Sequence, residues 1–375
     1  MSRKQFLVVL ALLVVLAAAA GGVALSERSA WTSADSRAGQ KAIAGLKIAD
    51  VAEVTIRDAS GESHLKRGPS GWTVSERADF PADTDHVAAM LVSLAETKVV
   101  QSEPLAEGQR ARLGLVEPKD KAAGAGTVLE LKDSKDAVLG RLLLGKKIVK
   151  PSAMASLGRP ETDATGRYVL AGDDTKTVLA VGDPLLQVVA NPQSWLVKDL
   201  LRVEGSKTIT SSKGWTVTRN TEGMDWKLGS GQTPDLQKAT DLSSSLGWVN
   251  LVDVVADPAK ADTGLNHPVT IQSKTFDGLS YTVKIGKPVD SNYYLRFTVA
   301  GGPSAKRIPE KNEKAEDKAK KDKDFEDRRR KLLEKVQGEK KLEAWTYVVA
   351  KTTVNPLLRD GKQLLPEKKK PAKKS

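Results

Sequence analysis

Three histidines and no cysteine limit the chemistry open to this chain of 375 residues. The missing thiol excludes disulfides, thiolate metal sites, cysteine nucleophiles and a lipid-modified cysteine. A serine or threonine nucleophile needs an oriented base beside it. His64, His86 and His267 are the available imidazole bases, and the chain contains no Gly-x-Ser-x-Gly elbow to present a serine. We therefore expect no catalytic residues and a protein that is not an enzyme.

The run Asp83-Thr84-Asp85-His86 is the tightest group of potential metal ligands in the sequence. The same residues are typical of a helix start, with Asp83 as the N-cap and Asp85 in the first turn. Asp235 takes the same place ahead of a second predicted helix, and no histidine accompanies it there. We interpret both aspartates as helix caps and expect no metal and no cofactor.

Two glycine-containing stretches could suggest phosphate binding. Residues 122–127 follow a lysine-rich loop rather than a strand, and Leu144-Gly145-Lys146 lacks a preceding glycine-rich loop. Neither has the Gly-Lys-Ser/Thr ending that holds phosphate, so we interpret both as turns. Paired carboxylates for glycoside hydrolysis need not be adjacent in sequence, which keeps a cryptic hydrolase as a third hypothesis without positive support.

The basic charge is concentrated in two segments. Residues 306–343 contain 15 basic and 11 acidic side chains, and residues 367–375 contain five and one. Together they carry +8 of the formal net charge of +12, so the remaining chain is close to neutral. Nucleic-acid binding would need Lys and Arg gathered on the folded surface among aromatic side chains. We therefore expect no nucleic-acid partner.

A set of structural residues recurs in the same order along the chain, which indicates a repeated folding unit. Each copy has a tryptophan, a capping aspartate, a Gly-Leu-x-x-Pro turn and a glycine at a strand end. The first copy comprises Trp72, Asp83, Gly114, Leu115, Pro118 and Gly145, and the second comprises Trp226, Asp235, Gly264, Leu265, Pro268 and Gly286. We call these residues the recurring signature.

Short alternating segments around the recurring signature predict strands, and two segments with helical spacing predict helices. The first helix presents Val87, Met90, Leu91 and Leu94, and the second presents Leu236, Ala239, Leu242 and Leu246. The predicted fold class is α+β, with two tandem repeats that each pack a helix on one face of a mostly antiparallel sheet. We place the first module at residues 46–203 and the second at 204–365.

The N-terminus has the pattern of a membrane segment. Arg3 and Lys4 precede an uncharged run over residues 6–25, about 20 residues, which is enough to cross a bilayer as a helix. We expect a single-pass anchor in the inner (cytoplasmic) membrane, with the bulk of the chain periplasmic or extracytoplasmic. A cleaved signal peptide is the alternative. Residues 26–45 are expected to be a tether, and 366–375 a disordered basic tail.

Residues 306–342 form a charged insertion in the second module. Opposite charges three and four residues apart favour a helix, so we predict a long solvated helix or helical hairpin, with a mobile charged loop as the alternative. Its sparse apolar residues give a candidate partner-binding surface, made of Phe325, Leu332, Leu333 and Val336.

The tryptophans fall into two groups. Trp72 and Trp226 occupy matching places and are predicted to be core. The remaining five are unevenly spaced, and either pack in the core or line, in one or two cases, a sugar- or peptide-binding face. They are Trp31, Trp195, Trp215, Trp248 and Trp345.

A membrane segment at the N-terminus is followed in order by Gly71-Trp72, Pro81-Ala82-Asp83, Gly114-Leu115 before Pro118, Leu144-Gly145-Lys146 and Tyr168-Val169. In these features the chain resembles an uncharacterised bacterial envelope family, domain of unknown function 4340. The resemblance covers residues 51–201 well and repeats more weakly to 358, which implies two tandem copies. The family has no assigned activity, and its members often look like partners of ABC-type transporters. The charged insertion departs from the family pattern.

The resemblance implies a non-catalytic, membrane-anchored accessory or scaffold subunit that works with transporter subunits or other envelope proteins. A cell-wall or polysaccharide binding module is the alternative, suggested by the exported location and the tryptophans. The sequence leaves the oligomeric state open.

Overall fold

The computed structural model describes residues 37–106, 108–119, 122–151, 162–223, 225–309 and 313–367. The chain divides into two compact units. Of the described residues, the first unit comprises those up to Ser75 together with those within Ala82–Trp195, and the second comprises Glu76–Pro81 together with those from Leu196 onward. The boundary predicted between residues 203 and 204 lies a few positions after the observed division at Trp195.

The first sheet has nine strands in the order β4-β3-β2-β1-β6-β7-β8-β9-β5. Its strands are β1 (Glu53–Arg57), β2 (Glu62–Gly68), β3 (Gly71–Val74), β4 (Phe80–Pro81), β5 (Val99–Pro104), β6 (Thr127–Lys132), β7 (Val138–Pro151), β8 (Thr162–Ala171) and β9 (Thr177–Val181). The helices in this part of the chain are α1 (Thr84–Glu96) and α2 (Gln109–Leu113), with short 3-10 turns at Ile48–Asp50, Ser75–Arg77 and Pro192–Trp195.

Burial alternates along β1 and β3 of the first sheet, so every second side chain there faces the core. Val54 and Ile56 of β1 are fully buried, and Trp72 and Val74 of β3 face the same core, as the two-residue period of a strand requires. Helix α1 contacts β3 and buries Val87, Met90, Leu91 and Leu94. Part of the core of the first unit therefore lies between α1 and the sheet. A second buried cluster, which includes no residue of α1, comprises Leu115, Val128, Leu143, Leu170 and Val178.

The second sheet has eight strands in the order β12-β11-β10-β14-β15-β16-β17-β13. Its strands are β10 (Ser206–Ser211), β11 (Trp215–Thr218), β12 (Lys227–Leu228), β13 (Leu251–Val254), β14 (Val269–Thr275), β15 (Leu279–Val289), β16 (Asn292–Gly301) and β17 (Tyr347–Ala350). The helices are α3 (Leu236–Gly247), α4 (Ala315–Lys341) and α5 (Lys351–Val354), with 3-10 turns at Leu342–Ala344, Asn355–Leu358 and Gly361–Leu364. Helix α3 buries Ala239, Leu242, Ser245 and Leu246.

The two sheets have matching strand orders. In each, three strands form a meander, a helix follows, and the strand after that helix lies at the opposite edge of the sheet. The first sheet adds β4 beyond the meander. The larger difference is α4, which lies between β16 and β17, whereas the corresponding strands β8 and β9 are joined by a short turn. Mostly antiparallel sheets with a few helices confirm the α+β class.

The insertion contains one long helix among its described residues. Helix α4 spans 27 residues, so the alternatives of a helical hairpin and a mobile loop do not describe residues 315–341. The apolar residues are too few for it to pack along its whole length, and only its C-terminal part is buried, at Val336 and Glu339.

The N-terminal boundaries differ from those expected. Residues 39–43, assigned to the tether from their composition, pack on the first unit, where Ala42 and Ile43 are buried. Lys41 forms an isolated bridge with Lys98, which gives this segment a fixed register. The predicted anchor at 6–25, the tether before residue 37 and the tail from residue 368 lie outside the described residues. Among the helices of the described part, none combines the length and apolarity needed to cross a bilayer.

Candidate functional site

The glycines of the recurring signature mark a close backbone approach in each unit. Gly114 ends α2 in the left-handed conformation, with φ of 69°, and Gly264 has φ of 65°. A Cβ at Gly145 would lie 2.4 Å from Leu113 O, and a Cβ at Gly286 would lie 2.1 Å from Thr263 O. Only glycine allows these backbones to meet, so the repeated glycines serve folding.

The other members of the recurring signature also have structural positions. Trp72 and Trp226 are buried, at 7% and 4% exposure. Asp83 accepts a hydrogen bond from His86 N at 3.0 Å, and Asp235 accepts one from Lys238 N at 3.1 Å, so both cap helices. The turn residues are less uniform: Leu115 is buried, whereas Leu265, Pro118 and Pro268 are half-buried.

The three histidines lie in different surroundings. His64 Nε2 is 3.5 Å from Glu62 Oε1 in β2. His86 stacks on Trp195 in the first unit, with ring centroids 4.6 Å apart. His267 is exposed in the second unit. Across the described ranges, His, Asp and Glu form no group of three or more that could hold a metal ion.

The first unit has a cleft of about 440 Å³ lined by residues of β5, β7, β8 and β9. Gln101, Glu103, Lys150 and Thr165 are among its polar lining residues. Gln101 Nε2 donates to Glu103 Oε1 at 2.5 Å. This hydrogen bond pairs the Glu103 carboxylate with a residue of its own strand, and no histidine is among the described residues that line the cleft.

Helix α4 is fixed to its sheet by a buried polar contact. Tyr281 Oη donates to Glu339 Oε2 at 2.8 Å, and Lys335 Nζ lies 3.2 Å from Glu339 Oε1. Lys335 Nζ also donates to Arg202 O at 2.6 Å. Burial, reinforced by the Glu339 charge, raises the pKa of Tyr281 well above its ordinary value, so the phenol remains a donor.

The start of α4 is tied down by ion pairs. Arg307 Nη2 lies 2.8 Å from Glu313 Oε2, and Arg307 Nε lies 2.7 Å from Asp322 Oδ1. Lys318 pairs with the same Asp322 at 2.8 Å. The Arg307 side chain is only 13% exposed and that of Glu313 only 3%, so this pair is largely shielded from solvent. The contact of Arg307 with Asp322 joins the segment before α4 to the helix.

One face of α4 lines a cleft of about 430 Å³ in the second unit. Phe325 and Leu332 form apolar parts of its wall, and Arg328 and Lys331 lie beside them; the facing residues are Glu204, Asp277 and Pro303. The structure therefore brings two of the four proposed partner-binding residues together.

The other two residues of that proposed surface lie elsewhere. Leu333 is 36% exposed and is not part of the cleft wall. Val336 is buried at 5% exposure, because the helix turn that carries it is the one that packs on the sheet. Val336 is thus an internal contact of the second unit and does not belong to an open surface.

One described tryptophan stands apart from the others. Trp195 and Trp215 are buried, and Trp345 is half-buried with its Nε1 donating to Ala78 O of the same unit at 2.9 Å. Trp248 is 66% exposed, and the Arg202 guanidinium lies 4.7 Å from its ring centroid. Trp31 lies outside the described residues.

Trp248 lines a cleft of about 370 Å³ together with Asp199, Arg202 and Asn250, among others. We call this the Trp248 cleft. Sequence reasoning named Trp248 only within a group of five tryptophans and missed Arg202. Trp248 lies at the C-cap of α3, where the first unit has Thr97. This difference between the two helix ends could have distinguished Trp248 from the other tryptophans.

A family model described as Domain of unknown function (DUF4340) matches the chain over residues 72–268. The match is a single copy that begins at Trp72 and ends at Pro268, so the two tandem family copies expected from the resemblance are not detected. No curated protein matches the chain. No solved structure matches it either.

Proposed function

The chain belongs to the DUF4340 family, and from that premise we propose a non-catalytic, membrane-anchored envelope protein that serves as an accessory or scaffold subunit of an ABC-type transporter. Its task in this proposal is to hold a partner protein, and not to transform a substrate. The residues that recur between its two halves form core, caps and turns, so they leave no repeated catalytic set.

The observation that carries the proposal is helix α4. It lies between β16 and β17, whose counterparts β8 and β9 in the first unit are joined by a short turn. The strands can therefore pair in this order without such a helix. The helix is nevertheless held on the sheet, because its Glu339 accepts a hydrogen bond from Tyr281 of β15 and pairs with its own Lys335. A rigidly held surface helix with Phe325 and Leu332 in an open cleft is suited to contact a partner.

The membrane location is proposed from the sequence. Arg3 and Lys4 before the apolar run at 6–25 favour an anchor with its N-terminus in the cytoplasm and the two units on the outer side of the inner membrane. The transporter is proposed because the family resemblance implies such partners. The matching strand orders of the two sheets favour descent from one duplicated module.

The proposal is tested by cross-linking intact membranes and purifying the full chain with its attached proteins. We expect subunits of an ABC-type transporter among the cross-linked products. Recovery of other membrane proteins at the same yield, with no transporter component, would contradict the proposal. A hydrolytic activity of the purified chain would contradict its non-catalytic part.

An alternative function is binding of cell-wall polysaccharide. The exposed Trp248, with polar side chains around it, favours this candidate. Co-sedimentation of the purified chain with wall polymer tests it, and a chain that stays in the supernatant would remove it.

A further inference from the structure

The C-terminal end of α3 carries a residue that the fold does not require. At the matching helix end of the first unit, Thr97 is buried and its Oγ1 donates to Ser93 O at 2.7 Å. In the second unit Trp248 takes the C-cap place and is 66% exposed. Tryptophan is highly buried on average. A large ring left in water at a position where a small residue suffices points to a binding role.

The Trp248 cleft has a fixed arrangement. The Arg202 guanidinium lies over the indole, 4.7 Å from its centroid, and Arg202 Nη2 lies 3.0 Å from Asp199 Oδ1. The backbones of Asp199 and Asn250 form an isolated antiparallel bridge. These contacts hold the two segments of the cleft together. The Arg202 guanidinium lies over the indole, and Trp248 nevertheless remains 66% exposed, which leaves room for a ligand to stack on the ring.

The chemistry of the cleft combines a flat apolar surface with a fringe of polar groups. The indole offers a π-face, which attracts the slightly positive edge of C–H groups. Asp199 accepts hydrogen bonds, Arg202 donates them, and the amide of Asn250 does both. Asp199 and Arg202 neutralise each other as an ion pair. Lys198 also lines the cleft, and burial lowers the pKa of its ammonium group, so the lining carries at most one net positive charge. A ligand with a flat C–H face and several hydroxyl groups fits this combination.

We propose that the Trp248 cleft binds a neutral saccharide unit, which stacks on the exposed ring of Trp248 and bonds its hydroxyl groups to Asp199 and Asn250. The volume of about 370 Å³ lies at the small end of ligand sites, which suits one or two sugar rings of a longer polymer. This proposal rests on the alternative function and is independent of the transporter proposal.

The test is titration of the purified full chain with a soluble tetramer of β-linked N-acetylglucosamine, followed by calorimetry and tryptophan fluorescence. We expect saturable binding with a dissociation constant in the millimolar range or tighter. Trp248→Ala should weaken binding by at least about tenfold, and Trp248→Phe, which keeps an aromatic face, should bind more tightly than Trp248→Ala. Unchanged circular dichroism of each variant checks the fold.

Leu236→Ala is the matched control, because Leu236 is 62% exposed at the other end of the same helix. It should bind the tetramer as the unmodified chain does. Absence of binding to the tetramer, or equal binding by Trp248→Ala, would overturn the proposal. If Trp248→Ala still co-sediments fully with wall polymer, the alternative function stands and this site is wrong. If Trp248→Ala instead loses a cross-linked protein without saccharide binding, Trp248 is a protein contact.

Discussion

The two units of this chain share a framework and differ in what they add to it. Apart from β4, which only the first sheet has, both sheets have the same strand order, a capped helix in the same interval and a glycine pair where a turn meets a strand. The second unit alone adds α4 between its last two central strands and an exposed tryptophan at its helix end. What the units share is explained by folding, so their differences are the better guide to function.

The largest expected effect concerns the matched tryptophans. Replacing Trp72 or Trp226 by Ala should each destabilise the protein by about 3–5 kcal/mol, because both side chains are buried. Trp248→Ala should stay within about 0.5 kcal/mol, since its ring is exposed. Urea denaturation of the three variants measures the difference. A Trp72→Ala variant with nearly unchanged free energy of unfolding would contradict the assignment of Trp72 to the core.

Gly145 of the first unit and Gly286 of the second lie at equivalent close backbone approaches, which allows a second comparison of the units. Gly145→Ala and Gly286→Ala should both destabilise by about 1–3 kcal/mol, because each added Cβ would overlap a backbone oxygen. Gly338→Ala is the control: nothing lies within 4 Å of its Cβ position in α4, and it should gain about 0.5–1 kcal/mol of stability. A large loss at one glycine and none at the other would break the equivalence of the turns.

Loss of the contact that holds α4 on its sheet should destabilise the second unit and leave the first unit unchanged. Tyr281→Phe removes the hydroxyl that donates to the buried Glu339, at an expected cost of about 1–3 kcal/mol. Amide hydrogen exchange in the C-terminal part of α4 should accelerate, while α1 keeps its protection. Tyr294→Phe, on the neighbouring strand β16, is the control variant. Unchanged exchange in α4 would mean that another contact holds the helix.

The smallest predicted effects concern the caps. Asp83→Ala and Asp235→Ala should each cost about 1 kcal/mol, because each removes the acceptor of a backbone amide at the helix N-terminus. The Asp→Asn variants retain a capping oxygen and should lose less. Thermal unfolding measures both pairs, and a clearly unequal pair would show that the two helices depend on their caps to different degrees.

Local patterns made the common framework predictable. Alternation in the meander strands and helical spacing after Asp83 and Asp235 are short-range properties, so the α+β class followed from them. The strand order did not, because the placement of β5 beside β9 depends on contacts distant in sequence. The packing of Ala42 and Ile43 could not be predicted for the same reason: it depends on contacts distant in sequence, whereas the composition of the segment is that of a tether.

The candidate sites were less predictable than the framework. Spacing of four residues places Leu332 and Val336 on one face of a helix, yet one lines a cleft and the other is buried, because α4 meets the sheet only near its end. Trp248 and Arg202 come together through two separate segments, a contact that neither local sequence reveals.

The most direct test of the account is site-specific cross-linking of the full chain in its membrane. A photoreactive residue in place of Leu332, in the α4 cleft, should capture a transporter subunit. The same residue in place of Val138, which is 57% exposed in the first unit, should not. Equal capture from both positions, or capture from Val138 alone, would contradict the claim that the added helix of the second unit carries the partner contact.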